Sequence, residues 1–181
     1  MTYRVSFVCT GNICRSPMAA SVFRARVEEA GLGDRVEVES AGTGGWHEGD
    51  GADPRAVAVL AEHGYGTDHA ARQFQASWFA RLDLVIALDS GHRKTLRHLA
   101  PTEQDAEKVH LLRSYARPSP DHHPSTSASH APSDSAGDDD LDVPDPYYGG
   151  LDGFEECLEM VEAASEGLLA AVREEVEGRA I

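Results

Sequence analysis

The 181-residue chain has few cysteines and no long apolar run, and each scarcity excludes a class of protein. Its three cysteines are too few for a disulfide framework, which favours a reducing, cytoplasmic setting. Because no run of about 18 apolar residues occurs, we expect neither a transmembrane helix nor a membrane partner. The opening residues lack a basic segment followed by an apolar run, which predicts the absence of an export signal.

Basic residues are scarce in the last quarter of the chain. Residues 134–181 contain two Lys or Arg against fifteen Asp or Glu, in a chain of formal net charge −15. An acidic surface of this kind repels phosphate backbones and anionic lipids, so we expect no nucleic-acid partner. The oligomeric state stays open.

What the chain does contain is an alternation of short apolar runs with helical patterns. Four strands are predicted at YRVSFV, RVEVESAG, LDLVIALD and KVHLL, and helices at about 17–30, 53–64, 91–99 and 151–177. In the first helix, Met18, Val22, Ala25 and Ala30 lie near one face, which predicts an amphipathic helix. The alternation predicts an α/β fold, a single three-layer domain with a four-stranded parallel sheet and helices on both faces.

Residues 116–142 interrupt this alternation. They are rich in Pro, Ser, Asp and His, with almost nothing to bury, so we predict a disordered insert within one domain that spans residues 1–181. His122, His123 and His130 raise a metal site as an alternative, but flexible histidines without nearby cysteines bind metals weakly. We expect no metal and no cofactor.

The segment FVCTGNICRSPMAA, residues 7–20, is the strongest candidate site. Cys9 and Cys14 could clip a metal or form a disulfide, but a zinc site lacks two further ligands nearby, and a reducing compartment disfavours a resting disulfide. The third interpretation is an anion pocket. Between a strand and a helix, the loop TGNIC can turn its backbone N–H groups inward around an oxyanion.

Each residue type in this loop suits an anion pocket. Gly11 and Asn12 tolerate unusual backbone dihedrals. A helix that starts near Ser16 adds its positive end, and Arg15 adds a planar fork that matches two phosphate oxygens. The same positive field favours the thiolate form of Cys9.

The runs CTGNICRSP, SAGTGGWHEGDGADPRA, HAARQF and DPYYGG resemble the low-molecular-weight protein tyrosine phosphatases, over roughly residues 3–115 and 141–176. The resemblance implies hydrolysis of phosphotyrosine in proteins and of small aryl phosphates. It implies that Cys9 is the nucleophile that forms a phosphocysteine, that Arg15 binds the phosphoryl oxygens, and that Asp145 is the general acid and then the base. The implied phosphate-binding loop is Thr10, Gly11, Asn12, Ile13, Cys14 and Ser16.

Supporting roles also follow from the resemblance. Ser16 would donate a hydrogen bond to the thiolate, and Ser16, Ser40 and His69 would hold Asn12 in a strained conformation. Asp89 either anchors the site electrostatically or caps the next helix, and both interpretations stay open. Cys14 would be a redox partner that forms a reversible disulfide with Cys9 under peroxide.

The substrate pocket walls are predicted to be Ile13, Trp46, Tyr147 and Tyr148, because a phosphotyrosine ring needs flat apolar walls. Protein arginine phosphatases are an alternative, but the arginine phosphatases that resemble this chain have threonine at the position of Ile13. Arsenate reductases of the same fold need further cysteines, and Cys157 is predicted to lie inside the last helix. A phosphotyrosine-binding module or redox sensor is the non-enzymatic alternative, and kinases could phosphorylate Tyr147 or Tyr148.

Overall fold

The computed structural model describes residues 2–116 and 141–179. Within these residues, four strands and five α-helices follow one another, with short 3₁₀ turns at Ala76–Ala80, Leu112–Tyr115 and Pro146–Tyr148. The elements in chain order are β1 (Tyr3–Cys9), α1 (Arg15–Glu29), β2 (Val36–Gly42), α2 (Pro54–Glu62), β3 (Leu84–Ala87), α3 (Ser90–Leu99), α4 (Glu103–Ala106), β4 (Val109–Leu111) and α5 (Leu151–Arg179).

The four strands form one parallel sheet in the order β2-β1-β3-β4. β1 lies inside the sheet, and the chain order reverses there, since β2 pairs with one side of β1 and β3 with the other. Ligands of parallel sheets bind beyond the carboxyl ends of the strands, at such a reversal. Cys9 ends β1 at this point.

Helices cover both faces of the sheet, which confirms the predicted three-layer α/β fold. Side chains alternate along β1, so Val5, Phe7 and Cys9 join the core beneath α1, α2 and α5. Val8 points to the opposite face, where it joins a smaller core with Phe79 and Leu96. The Cys9 side chain therefore lies on the same face of the sheet as α1.

Helix α1 differs from the amphipathic helix that the spacing predicts. Every residue from Arg15 to Phe23 is buried, and only the last turns expose a polar face. The reason is tertiary, because α1 packs against β1, β2, α2 and α5 at once. Small residues on all sides of its first turns, Ala19, Ala20 and Ser21 among them, allow this close approach.

The predicted insert and its histidines fall largely beyond the described part of the chain. Residues 117–140, with His122, His123 and His130, lie outside the described residues. Within 2–116 and 141–179, no helix combines the length and the apolarity that a bilayer crossing requires.

Candidate active site

The loop between β1 and α1 is held in place by its contacts with the end of β2 and the residues that follow it. The N–H of Thr43 donates to the carbonyl of Cys9 at 2.8 Å, and the N–H of Gly44 to that of Thr10 at 3.0 Å. Gly42 ends β2 directly behind the loop, where a Cβ would stand 2.7 Å from the carbonyl oxygen of Thr10. Only glycine leaves room for this approach.

Asn12 fixes the conformation of the loop from inside. It is fully buried and adopts φ 60, the one non-glycine residue of the described chain with a positive φ. Its amide donates to Ser16 Oγ at 2.8 Å and to Ser40 Oγ at 3.0 Å, and its Oδ1 accepts from the N–H of Arg72 at 2.9 Å. His69 Nε2 lies 2.6 Å from its carbonyl oxygen. The left-handed backbone is therefore held by four hydrogen bonds.

The loop carbonyls are bonded to the surrounding protein. Besides those of Cys9, Thr10 and Asn12, the carbonyl of Ile13 accepts from the N–H of Asp53 at 2.8 Å, and that of Cys14 from Met18 at 3.2 Å. In a trans peptide the N–H points opposite to the C=O. The N–H groups that follow these carbonyls therefore face the concave side of the loop, as an anion nest requires.

The sulfur of Cys9 lies at the base of this concave surface and is almost completely buried. It is 3.0 Å from Ser16 Oγ, and the Ser16 N–H donates to it at 3.4 Å. Ser16 Oγ accepts from Asn12, so its single hydroxyl proton is available to Cys9 or to the Ala41 carbonyl at 3.3 Å. The Ser16 hydroxyl, the Ser16 N–H and the N-terminus of α1 thus converge on the sulfur.

Arg15 is 3% exposed and is fixed from three sides. Its Nη1 donates to Asp89 Oδ2 at 2.8 Å and to the Val143 carbonyl at 2.9 Å, and its Nη2 lies 3.6 Å from Asp145 Oδ2. Burial disfavours the cation, but the negative charges of Cys9, Asp89 and Asp145 outweigh it and raise the pKa of Arg15. The guanidinium is a permanent cation beside the sulfur.

Asp89 makes a contact that fits each of the two interpretations left open above. Oδ1 accepts from the N–H of His92 and caps α3, whereas Oδ2 accepts from Arg15. Burial opposes its ionisation, but His92 and Arg15 outweigh burial and lower the pKa of Asp89. Its carboxylate therefore joins Arg15 to the N-terminus of α3.

His92 is a buried site residue that the sequence reasoning missed. Its Nε2 lies 2.7 Å from Thr10 Oγ1, and Thr10 Oγ1 accepts from Arg15 Nη2 at 3.4 Å. The Nδ1 of His92 lies 3.2 Å from Asp89 Oδ1, but the two atoms do not have hydrogen-bond geometry. Burial lowers the pKa of His92 to about 4, so the ring is neutral near neutral pH. Arg15, Asp89, His92 and Thr10 thus form a closed ring of polar contacts.

Above the loop opens a cavity of about 350 Å³. Its mouth brings together the four predicted wall residues, Ile13, Trp46, Tyr147 and Tyr148, and adds His47, which the sequence reasoning missed. Trp46 is 73% exposed and Tyr148 88% exposed, so neither is a core residue. Large exposed aromatic rings around a deep polar base suit a ligand with an aromatic ring and an anionic end.

Asp145 lies at the edge of the same cavity, half exposed. Its Oδ1 accepts from the N–H of Tyr147 at 3.0 Å and so caps the 3₁₀ turn at Pro146–Tyr148. Its Oδ2 faces Arg15. This local cap aims the carboxylate towards the loop that holds Cys9.

The three cysteines are all free thiols. Burial, together with the charges of Asp53 and Cys9, raises the pKa of Cys14, which lines the cavity beside Cys9. Burial in α5 raises the pKa of Cys157 to about 12. Both groups are therefore neutral thiols near neutral pH.

Potential metal ligands meet at a separate place among the described residues. Glu62, His63 and Glu155 bring their ligand atoms within 4.8 Å of one another at the surface, where His63 Nε2 lies 3.1 Å from Glu155 Oε1. Exposed acidic groups often lie this close without an ion, and the hydrogen bond between His63 and Glu155 accounts for their approach.

Fold and site together define a class of protein. A parallel α/β sheet presents a thiol at the end of its central strand, within a loop of inward amides, and a buried guanidinium and a carboxylate flank it. This is the arrangement of a thiol-dependent phosphatase of the Cys-x₅-Arg type.

Comparison with known proteins defines the class further. Residues 4–126 and 131–178 match the family model of the low molecular weight phosphotyrosine protein phosphatases, and the chain belongs to this family of enzymes. A low molecular weight protein-tyrosine-phosphatase of Streptomyces coelicolor is 73% identical over 180 residues, 99% of each chain. Low molecular weight protein-tyrosine phosphatase A of Mycobacterium tuberculosis is 46% identical over 91% of this chain and 88% of its own.

Solved structures agree with this assignment. A protein tyrosine phosphatase of Entamoeba histolytica, crystallised with Hepes in its active site, superposes with a TM-score of 0.80 at 31% identity and covers 96% of this chain and 98% of its own. YfkJ of Bacillus subtilis superposes with a TM-score of 0.79 at 32% identity, over 97% of each chain. The predicted family and enzyme class are confirmed.

Proposed function

We propose that this protein removes phosphate from phosphotyrosine side chains of proteins through a phosphocysteine on Cys9. The observation that carries the proposal is the position of the Cys9 sulfur beneath an amide nest, 3.0 Å from the Ser16 hydroxyl and beside the fixed guanidinium of Arg15. Phosphate esters are dianions, and such a site stabilises the charge that builds on the equatorial oxygens during transfer.

In the first step the Cys9 thiolate attacks phosphorus. The P–S bond forms as the P–O bond to the phenol breaks, and the departing oxygen takes the proton of Asp145. In the second step water attacks phosphorus and gives a proton to Asp145, the P–S bond breaks, and the thiolate and inorganic phosphate are released. Ser16 stabilises the thiolate as it departs.

The cavity mouth supports an aromatic substrate. Ile13 and Trp46 offer apolar walls to a phenyl ring, whereas a guanidinium would find no hydrogen-bond acceptor on the Ile13 side chain. The Entamoeba relative was crystallised with Hepes in its active site, and Hepes carries a sulfonate, an oxyanion of the kind that this loop would bind. We therefore favour phosphotyrosine over phosphoarginine.

Three free cysteines support a reducing compartment, and we infer a cytoplasmic location from them. Cys14 lines the cavity beside Cys9, which supports a reversible disulfide as protection against peroxide. In this scheme Cys9 attacks as the thiolate while Asp145 carries the proton that the leaving group takes.

The test compares turnover of phenyl phosphate, whose basic leaving group needs the acid, by the wild type, Cys9→Ser and Asp145→Asn, with Cys157→Ala as a control for loss of a thiol. We expect no turnover by Cys9→Ser, a loss of about 10²-fold or more by Asp145→Asn, and activity close to wild type for Cys157→Ala. Acid quench of the wild type should trap phosphate on the peptide that contains Cys9.

Three results would contradict the proposal. Turnover by Cys9→Ser at a rate near wild type would exclude the nucleophile assignment. Equal kcat/KM for phosphoarginine and phosphotyrosine peptides would exclude the substrate assignment, and thiol-dependent reduction of arsenate would place the chain among the arsenate reductases instead.

A further inference from the structure

Arg55, in the first turn of α2, is fixed in a single orientation by Asp53. Its Nε donates to Oδ1 of Asp53 at 3.0 Å and its Nη2 to Oδ2 at 2.9 Å, so two parallel bonds hold the plane of the guanidinium. Asp53 is 7% exposed and also accepts from the Arg55 N–H at 2.8 Å as the cap of α2. Bidentate pairs of this kind define a direction as well as an attraction.

The remaining nitrogen of this fork reaches the segment that carries Asp145. Nη1 donates to the carbonyl of Gly149 at 2.7 Å, across 94 positions of sequence. The guanidinium also lies over the ring of Tyr147 at 5.5 Å and over that of Phe154 at 4.7 Å. Arg55 therefore contacts the end of the turn that Asp145 starts and the first turns of α5.

The opposite side of the same pair holds the phosphate-binding loop. The N–H of Asp53 donates to the carbonyl of Ile13 at 2.8 Å. The first turn of α2 is thus a common support, in contact with the loop of Cys9 through Asp53 and with the Asp145 segment through Arg55.

Further contacts hold the Asp145 segment on its N-terminal side. The N–H of Val143 donates to the Leu88 carbonyl at 2.8 Å, and Arg113 donates to the Asp142 carbonyl at 2.9 Å. Asp145 lies between this support and the Arg55–Gly149 bond. Its distance from the phosphate-binding loop therefore depends on both ends being held.

We propose that Arg55 is a positioning residue that sets the place of the Asp145 carboxyl relative to a substrate bound in the loop. The proposal rests on the proposed function, in which Asp145 protonates the leaving group. Lysine could not replace arginine here, because an ammonium cannot bond both oxygens of Asp53, reach Gly149 and stack on an aromatic ring at the same time.

The test uses aryl phosphates whose phenols differ in basicity. A basic phenolate needs its proton in the transition state, whereas p-nitrophenolate leaves with little help, so a misplaced acid affects phenyl phosphate far more than p-nitrophenyl phosphate. For Arg55→Met we expect kcat/KM to fall roughly 10- to 100-fold with phenyl phosphate and less than about 3-fold with p-nitrophenyl phosphate. Inhibition by inorganic phosphate should stay unchanged.

Matched variants separate positioning from stability. Arg173→Met removes a surface arginine of α5 whose contacts are long, 3.5 Å to the Ala30 carbonyl, and should behave as wild type with both substrates. Arg55→Lys should show the same dependence on the leaving group as Arg55→Met. It replaces Arg55→Met in the test if that variant does not fold. The double variant Arg55→Met/Asp145→Asn should be no slower than Asp145→Asn.

The outcomes distinguish this inference from the proposed function. An equal loss with both esters, together with weaker phosphate inhibition, would overturn the inference, because Arg55 would then act on the phosphate-binding loop. Additive losses of kcat/KM in the double variant Arg55→Met/Asp145→Asn would also overturn the inference. If Asp145→Asn itself showed no dependence on the leaving group, the assignment of the acid would fail, and the proposed function would fail with it.

Discussion

Replacement of Asn12 tests how the phosphate-binding loop keeps its conformation. Asn12→Ala removes three side-chain hydrogen bonds, to Ser16, to Ser40 and from the N–H of Arg72, and it places a Cβ without a polar group at φ 60. Each buried bond contributes about 1 kcal/mol, and a left-handed alanine costs about 1 kcal/mol more. We expect the free energy of unfolding to fall by about 4 kcal/mol, a large part of the 5–15 kcal/mol typical of a domain.

Asn12→Gly separates the two contributions. Glycine adopts a positive φ freely but makes none of the side-chain bonds, so it should lose about 3 kcal/mol and be about 1 kcal/mol more stable than Asn12→Ala. The bond from His69 to the backbone carbonyl persists in both variants, which makes them a matched pair.

The assay is urea unfolding followed by circular dichroism, together with kcat/KM for p-nitrophenyl phosphate. We expect kcat/KM to fall at least about 10-fold in both variants, because the amides lose their preorganised direction. A glycine variant as stable and as active as the wild type would refute this account, since the side-chain bonds would then contribute nothing. An alanine variant more stable than the glycine variant would refute the part that concerns strain.

Two further predictions concern the surroundings of the loop. Gly42→Ala should lower the free energy of unfolding by about 1–3 kcal/mol and reduce kcat, because its Cβ would meet the Thr10 carbonyl oxygen at 2.7 Å. The control is Gly33→Ala, whose Cβ meets only Glu28 Cγ at 3.9 Å and which should leave activity unchanged. Equal activity of the two variants would contradict the close approach of Gly42 to the loop. Burial lowers the pKa of His92 to about 4, so between about pH 4 and pH 6.5 the unfolded chain holds a proton that the folded chain does not, and stability rises with pH. His92→Asn should therefore reduce the slope of unfolding free energy against pH by about 1.4 kcal/mol per pH unit in this window. An unchanged slope would show that His92 is charged in the folded protein.

Local patterns made much of the fold and site predictable. Apolar runs broken by glycine and proline located four strands and four of the helices within a few residues, because burial on both faces of a parallel sheet needs continuous apolar strands. The spacing from Cys9 to Arg15, with Gly11 and Asn12 between them, indicated an anion loop, because backbone dihedrals and the helix N-terminus are properties of adjacent residues.

The sequence by itself determined the strand–loop–helix that carries Cys9, since every requirement of that loop falls within a few consecutive positions. Only the tertiary structure decided which distant groups complete it. His92 meets Thr10 across 82 positions, Arg55 meets Gly149 across 94, and Val143 meets Arg15 across 128. The hydrogen-bond partner of a buried polar group depends on which distant chain segment packs against it, so a local sequence pattern cannot predict that partner.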